Sequence, residues 1–211
     1  MWQTGTIRVA RIGGIAVDIH FTFALVVLWG AFSGWQRGPV LGVLAILLLF
    51  GCVLLHELAH GLQARASGLV VRRVILLPIG GLALLETPAS KPWQELVIAL
   101  AGPLLNLGLA AAAGIAILII DPAYAFTLDV FTRTTLAPGI EGALLYLLSI
   151  NLSLFLFNML PAFPMDGGRV LRASLALMAP YVVATRISAW IGPSLKPIAL
   201  AAPPTQSRIA C

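Results

Sequence analysis

The chain has 211 residues, of which 60% are hydrophobic and 10% are charged. Soluble domains carry about 25% charged residues, so this composition excludes an ordinary soluble domain and indicates a multi-span membrane protein in a lipid bilayer. The net charge of +5 does not indicate a nucleic-acid partner, because the basic residues are scattered among apolar segments and form no aromatic-interleaved patch.

Four apolar segments are predicted to cross the membrane, at roughly residues 19–35, 39–63, 96–120 and 142–165. A spanning helix needs about 20 mostly apolar residues. A fifth, weaker segment covers residues 173–195, and residues 196–211 form a short atypical tail. We therefore predict an all-α polytopic membrane helix bundle, with one transmembrane domain over residues 1–195.

Residues 70–85, between the second and third apolar segments, have a different pattern. Their first half is rich in β-branched residues, and Pro78 and Gly80-Gly81 interrupt the run. This pattern predicts two strands around a turn. The bundle is therefore expected to carry a small membrane-associated β-hairpin or sheet.

The basic residues are distributed unevenly between the two sides of the predicted bundle. If the segments alternate in direction, the N-terminal side holds eight of them and the opposite side holds Arg37 and Arg133. The eight are Arg8, Arg11, Arg65, Arg72, Arg73, Lys91, Arg169 and Arg172. Because cytoplasmic loops carry the excess of Lys and Arg, the N-terminus is predicted to be cytoplasmic. The second and fourth segments both end on that side.

An H-E-x-x-H pentad, His56-Glu57-Leu58-Ala59-His60, closes the second segment. In a helix, residues four apart share one face, so both imidazoles can reach one metal ion. Glu57 is then placed to act as general base on a water that the metal activates. Ionisable groups inside an apolar segment are energetically costly and usually mark function.

Asp166 is the best candidate for a third metal ligand. Catalytic zinc commonly takes three protein ligands and leaves one position for water. Pro161 and Pro164 break the fourth segment just before Asp166, and two glycines behind it allow a tight turn. The simpler alternative is a helix-ending Asp-Gly turn. We predict that His56, His60 and Asp166 bind the metal and that the chain hydrolyses peptide bonds.

Asn106 lies on a stripe of small residues in the third segment, where Gly102, Ala110 and Gly114 recur at intervals of four. Such stripes allow close helix packing, and an asparagine on one can serve as an interhelical hydrogen-bonding group. It can equally donate a hydrogen bond near the active site. Both interpretations stay open, and Asn106 is therefore also a candidate for substrate positioning.

Three motifs in order give the chain a resemblance to a known family. They are HELAH at residues 56–60, AGPLLN at 101–106 and NMLPAFPMDGGR at 158–169, and LPIGG at 77–81 is similar to the family's membrane-associated hairpin. Together they resemble the site-2 proteases, which are intramembrane zinc metalloproteases. The likeness is greatest to the compact bacterial and archaeal branch that has no inserted PDZ domain.

The resemblance implies that His56, His60 and Asp166 bind Zn²⁺, that Glu57 is the catalytic base and that Asn158 helps to hold the substrate. It also implies a multi-pass protein of the cell membrane with its active-site side cytoplasmic. The substrate would be a transmembrane protein, such as an anchored transcription factor or a sigma or anti-sigma factor.

Two other functional classes fit parts of the pattern. A catalytically inactive membrane scaffold would bind clients without cutting them, but all four predicted chemical groups are present. A metal transporter would line a path with intramembrane His and Asp side chains. That interpretation leaves Glu57 without a role.

Overall fold

The computed structural model describes residues 5–33, 38–78, 80–85, 89, 91–120, 138–162 and 164–191. Its elements are β1 (Thr6–Ile12), β2 (Ile15–His20), α1 (Phe23–Ser33), α2 (Pro39–Ala66), β3 (Val71–Leu77), β4 (Gly80–Leu85), α3 (Pro92–Ile120), α4 (Ile140–Asn158), α5 (Asp166–Ala176) and α6 (Tyr181–Ile191). The predicted helix bundle with a small sheet is confirmed.

Three helices in the described part of the chain, α2, α3 and α4, are long and apolar enough to cross a membrane. They correspond to the second, third and fourth predicted segments. The fourth prediction extended too far, because α4 ends at Asn158 and turns follow it up to the start of α5. This ending separates Asp166 from the spanning helix and places it at the N-terminus of its own helix.

The first predicted segment, residues 19–35, is only partly helical. Helix α1 has 11 residues, or about 16 Å at 1.5 Å per residue, well short of a hydrocarbon core of about 30 Å. Ile19 and His20 belong to β2 instead. Strand β2 is mostly buried, and a strand buried on both faces is a run of mainly apolar residues in sequence. The sequence alone therefore does not separate β2 from the helix that follows it.

The fifth predicted segment, residues 173–195, is not a single helix. Helix α5 ends at Ala176 and α6 begins at Tyr181, directly after Pro180. A proline cannot donate the backbone hydrogen bond that would continue α5, so two short helices form. Residues 192–195 and the predicted tail at 196–211 lie outside the described residues, and the domain limit at residue 195 stays a prediction.

The strands form one sheet in the order β1-β2-β3-β4, within the described ranges. The predicted hairpin over residues 70–85 is confirmed as the antiparallel pair of β3 and β4. Strand β2 pairs with β3 in parallel, and the connection between them contains α1 and α2. Strands β1 and β4 are therefore the two edges of the sheet.

The sheet packs against the last turns of α2 and the first turns of α3. Ile15 of β2 and Val74 of β3 are fully buried in a cluster that includes Ala64 of α2 and Ile98 of α3. Asp18 of β2 is 2% exposed, and its carboxylate accepts hydrogen bonds from other strands. The donors are Arg8 at 3.1 Å and Arg73 at 3.3 Å. These contacts fix the sheet beside the pentad.

The spanning helices pack through small side chains and interhelical hydrogen bonds. Ala110 and Ala113 of α3 lie in a buried cluster with Leu145 of α4, as expected where small residues let helices approach closely. The Tyr146 hydroxyl of α4 donates to the Ala45 carbonyl of α2 at 2.9 Å. Helix α3 thus packs against both α2, which carries the pentad, and α4.

Candidate metal centre

Three side chains from two helices meet at one buried point. His56 Nε2 and His60 Nε2 are 3.0 Å apart, and Asp166 Oδ2 lies 3.1 Å from the first and 3.0 Å from the second. All three residues are buried. The structure thus brings together the three predicted ligands, although Asp166 is more than 100 positions from both histidines in sequence.

The hydrogen bonds on the far side of each ring decide which nitrogen faces this point. His60 Nδ1 lies 2.6 Å from the Ile98 carbonyl oxygen, which can only accept, so Nδ1 carries the proton. His56 Nδ1 donates in the same way to Asn106 Oδ1 at 3.2 Å. Each Nε2 atom therefore faces the other ring and a carboxylate oxygen. When both Nε2 atoms are deprotonated, all three atoms are acceptors, and a cation bound between them would satisfy them.

The donor set fits zinc. Two imidazole nitrogens and one carboxylate oxygen form a known set of three ligands for catalytic zinc. Two ligands that lie about 2.0–2.1 Å from one zinc ion in a tetrahedral site are about 3.3 Å apart. The three ligand atoms here are mutually 3.0–3.1 Å apart. His56, His60 and Asp166 would therefore hold the ion with little movement.

Gly102 lets α3 lie directly against the two imidazoles. A methyl group at this position would lie 2.7 Å from both Nε2 and Cε1 of His56 and closer still to Nε2 of His60. Only glycine fits this approach. The small-residue stripe that the sequence shows in α3 thus begins at the metal centre.

Asp166 is positioned by the N-terminus of α5. A methyl group at Gly167 would collide with the carbonyl groups of Met159 and Leu160, so this turn packs directly on the end of α4. Asp166 Oδ1 lies 3.5 Å from the guanidinium of Arg169. Burial alone would raise the pKa of Asp166, but the adjacent imidazoles outweigh burial and hold this pKa below its usual range. The carboxylate is therefore ionised.

Glu57 lines a cavity of about 520 Å³ that also reaches the three candidate ligands. Strand β4 forms one wall of this cavity through Gly80, Gly81, Leu82 and Ala83. A methyl group at Gly81 would lie 2.9 Å from Cδ and 3.1 Å from Oε1 of Glu57. The absence of a side chain at Gly81 thus leaves room for the carboxylate next to the cavity.

The two asparagines have different environments. Asn158 lines the cavity, and its Nδ2 donates to the Leu154 carbonyl at 2.9 Å. Asn106 is fully buried behind His56 and contacts the far side of that ring. Substrate positioning by Asn158 and Asn106 stays a prediction. The observed contact of Asn106 is with a candidate metal ligand.

Several groups at the site were not predicted from the sequence. The Ile98 carbonyl is a backbone acceptor and carries no sequence signal. Gly81 shows only as part of a turn pattern. Arg169 could have been found, because it follows Asp166 by three residues at the start of a helix.

A sequence profile identifies the family to which this chain is similar. The profile described as Peptidase family M50 matches residues 44–127 and 123–192, which include all three predicted ligands and Glu57. The chain belongs to peptidase family M50. The resemblance to site-2 proteases is thereby confirmed.

The proteins to which this chain is similar include one named as a zinc metalloprotease. A zinc metalloprotease of Methanocaldococcus jannaschii is 36% identical over 196 residues, which are 92% of this chain and 53% of that protein. Stage IV sporulation protein FB of Bacillus subtilis is 27% identical over 175 residues, 82% of this chain and 52% of that protein. This chain therefore spans about half the length of these relatives.

The fold is also that of a solved structure. The site-2 protease from Methanocaldococcus jannaschii matches with a TM-score of 0.59 at 36% identity, over 89% of this chain and 79% of that chain. With its three spanning-length apolar helices in the described ranges, this member of family M50 is a multi-pass membrane protein. The family's metal, zinc, is the one that the donor set fits.

Proposed function

We propose that this chain is an intramembrane zinc metalloprotease that hydrolyses peptide bonds in or near transmembrane segments of membrane-anchored proteins. The observation that supports this best is the convergence of His56, His60 and Asp166 beside Glu57 in one cavity. A transporter has no need for Glu57 at that place. An inactive scaffold needs neither the ligands nor the base.

The chain's own residues supply the proton chemistry of the reaction. Zinc bound by the three ligands would polarise the peptide carbonyl and make water a better nucleophile. Glu57 takes a proton from the attacking water as its oxygen bonds to the carbonyl carbon. The same carboxyl then gives that proton to the nitrogen of the leaving amine as the C–N bond breaks. The ring orientation of His56 and His60 is held by Asn106 and the Ile98 carbonyl.

The substrate must be extended when it enters this cavity. In a helix, each carbonyl is bonded to an amide four residues away and is shielded by side chains. Strand β4 is an edge of the sheet and lines the cavity next to Glu57. We propose that an unwound substrate segment pairs with β4 by strand addition, which would present its carbonyls along the cavity wall.

Adjacent proline substitutions in β4 test strand addition. Successive residues of a strand direct their N–H groups to opposite sides, so Leu82→Pro and Ala83→Pro remove one outward and one inward donor. The variant that loses the outward donor should stay folded and bind zinc normally while cleaving substrate at least tenfold more slowly. If both folded variants cleave at the wild-type rate, strand addition is wrong.

The orientation and the substrate class are further parts of the proposal. The excess of basic residues on the N-terminal side supports a cytoplasmic N-terminus and active-site side in the cell membrane. The family resemblance alone supports membrane-anchored regulators as the substrates, such as transcription factors or sigma and anti-sigma factors.

Cleavage by a Glu57→Gln variant tests the central proposal. The wild-type protein and the variant are reconstituted in liposomes with a membrane-anchored reporter, and zinc content and cleavage are measured on the same samples. We expect both proteins to bind one zinc ion and only the wild type to cleave. Cleavage by the variant at the wild-type rate would contradict the role of Glu57. Zinc transport into the liposomes without cleavage would favour the transporter.

A further inference from the structure

Outside the metal centre, a buried carboxylate connects three helices. Glu95, in the first turn of α3, is 4% exposed. Arg172 of α5 donates to its Oε1 from Nε at 3.1 Å and also from Nη2. The Tyr181 hydroxyl of α6 donates to Oε2. The Arg172 guanidinium also lies 5.5 Å from the centre of the Tyr181 ring.

This cluster is connected to two of the candidate metal ligands by short stretches of helix. Ile98, whose carbonyl accepts the hydrogen bond of His60, follows Glu95 by one turn of α3. Asp166 begins α5, and Arg172 lies in the same 11-residue helix. The Glu95–Arg172 pair therefore joins the helix that orients His60 to the helix that carries Asp166.

Helix α5 buries few apolar side chains. Its buried residues are Asp166, Gly167, Gly168 and Ala173, so it buries little apolar side-chain surface. Apolar contacts are non-directional, and a buried pair of charges with several hydrogen bonds sets a more specific geometry. The Glu95–Arg172 pair thus supplies a directional contact between α5 and α3.

We propose that Glu95 is a positioning residue that sets the geometry of the metal ligands by clamping α5 and α6 to the start of α3. The inference rests on the proposed function, in which His60 and Asp166 bind zinc. Glu95 does not line the metal-centre cavity, so its effect passes through the Ile98 carbonyl and through α5. We call Glu95, Arg172 and Tyr181 the clamp, in which Tyr181 makes the contact from α6.

The Tyr181 hydroxyl is a suitable donor in this clamp. Burial and the hydrogen bond to Glu95 raise the pKa of Tyr181 to about 12, so the phenol keeps its proton at neutral pH. Replacing Glu95 with glutamine would keep the size of the side chain and remove the charge that both partners face. Arg172 would then lose the charge of this partner, and the directional contact between α5 and α3 would weaken.

The test measures metal binding by the full-length protein and not its cleavage activity. Glu95→Gln and Tyr181→Phe are compared with the wild type for zinc affinity, by chelator competition, and for the visible spectrum of the Co²⁺-substituted protein. Asp18→Asn is the matched control, because Asp18 is an equally buried carboxylate that also accepts from arginines. Thermal unfolding of the metal-free proteins is recorded in parallel.

We expect Glu95→Gln to weaken zinc binding about 10–100-fold, as changes behind metal ligands commonly do, and to change the Co²⁺ spectrum. Tyr181→Phe should give a smaller shift in the same direction. Asp18→Asn should lower the unfolding temperature and leave the Co²⁺ spectrum unchanged. Tyr181→Phe removes only one hydroxyl group and should fold. It therefore tests the effect of the clamp on the metal ligands even if Glu95→Gln does not fold.

Two results would overturn the inference. One is a wild-type zinc affinity and Co²⁺ spectrum in the folded Glu95 and Tyr181 variants. The other is an equal change in both measurements in Asp18→Asn, which would show a general effect of lost stability. A wild-type protein that binds no zinc would instead overturn the proposed function itself.

Discussion

Nε2 of His60 and Oδ2 of Asp166 lie 3.0 Å apart although 106 positions separate them in sequence. One belongs to a spanning helix and the other to a short helix beyond the bundle's last span. Metal binding at this point therefore depends on the packing of α5 against α2 and α3, and it stabilises that packing in return.

Gly102→Ala is expected to weaken zinc binding by at least tenfold, because the new methyl group would press on both imidazoles. Gly108→Ala is the matched control in the same helix, since a methyl group there meets nothing within 4 Å. Chelator competition on the purified proteins measures both affinities. Equal zinc affinity in the two variants would show that α3 does not approach the ligands as closely as described.

Asn106→Ala removes the acceptor of the His56 Nδ1–H group and leaves that donor buried without its partner. We expect zinc affinity to fall about 10–100-fold, as for other contacts that orient a metal-binding histidine. Asn151→Ala is the control, because Asn151 is equally buried but contacts Cys52 and the Leu147 carbonyl. If both variants bind zinc equally well, Asn106 serves only in helix packing.

Gly81→Ala should lower cleavage and leave zinc affinity unchanged. The added methyl group overlaps the side chain of Glu57, which must move away from its place by the cavity. A displacement of about 1 Å in a catalytic group can lower the rate by about 100-fold. Reporter cleavage and zinc content are measured together, with Gly51→Ala as a control at a site that has open space. Normal cleavage by Gly81→Ala would contradict the described wall of the cavity.

Tyr146→Phe tests the packing of α4 against α2 away from the metal centre. The Tyr146 ring is buried, and its hydroxyl donates to the Ala45 carbonyl at 2.9 Å. Losing this bond should lower the free energy of unfolding by about 1 kcal/mol, measured by denaturant titration in mixed micelles. Zinc affinity should stay at the wild-type value, and a large loss of affinity would show that this contact reaches the metal centre.

The approach of His56, His60 and Asp166 to one point was largely predictable from the sequence. Helical spacing puts His56 and His60 on one face, and Pro161 and Pro164 show where the fourth segment must stop before Asp166. These are local rules of backbone geometry. They hold in a membrane because an apolar helix must satisfy its own backbone groups.

The parts that sequence could not give depend on tertiary contacts. Nothing in residues 15–20 shows that they pair with β3 rather than begin a helix. The Ile98 carbonyl acquires its role only because His60 lies opposite it. Glu95 and Arg172 are 77 positions apart, and neither lies in a pattern that points to the other.

The parallel pairing of β2 with β3 also makes the sheet depend on the two helices between these strands. Ala16 pairs with Arg73, so two helices must fold back before this part of the sheet can close. Closing so long a loop is entropically unfavourable and slow compared with forming a hairpin. Strand β4 joins the sheet only through β3. The complete sheet that lines the cavity therefore depends on the return of the chain through α1 and α2.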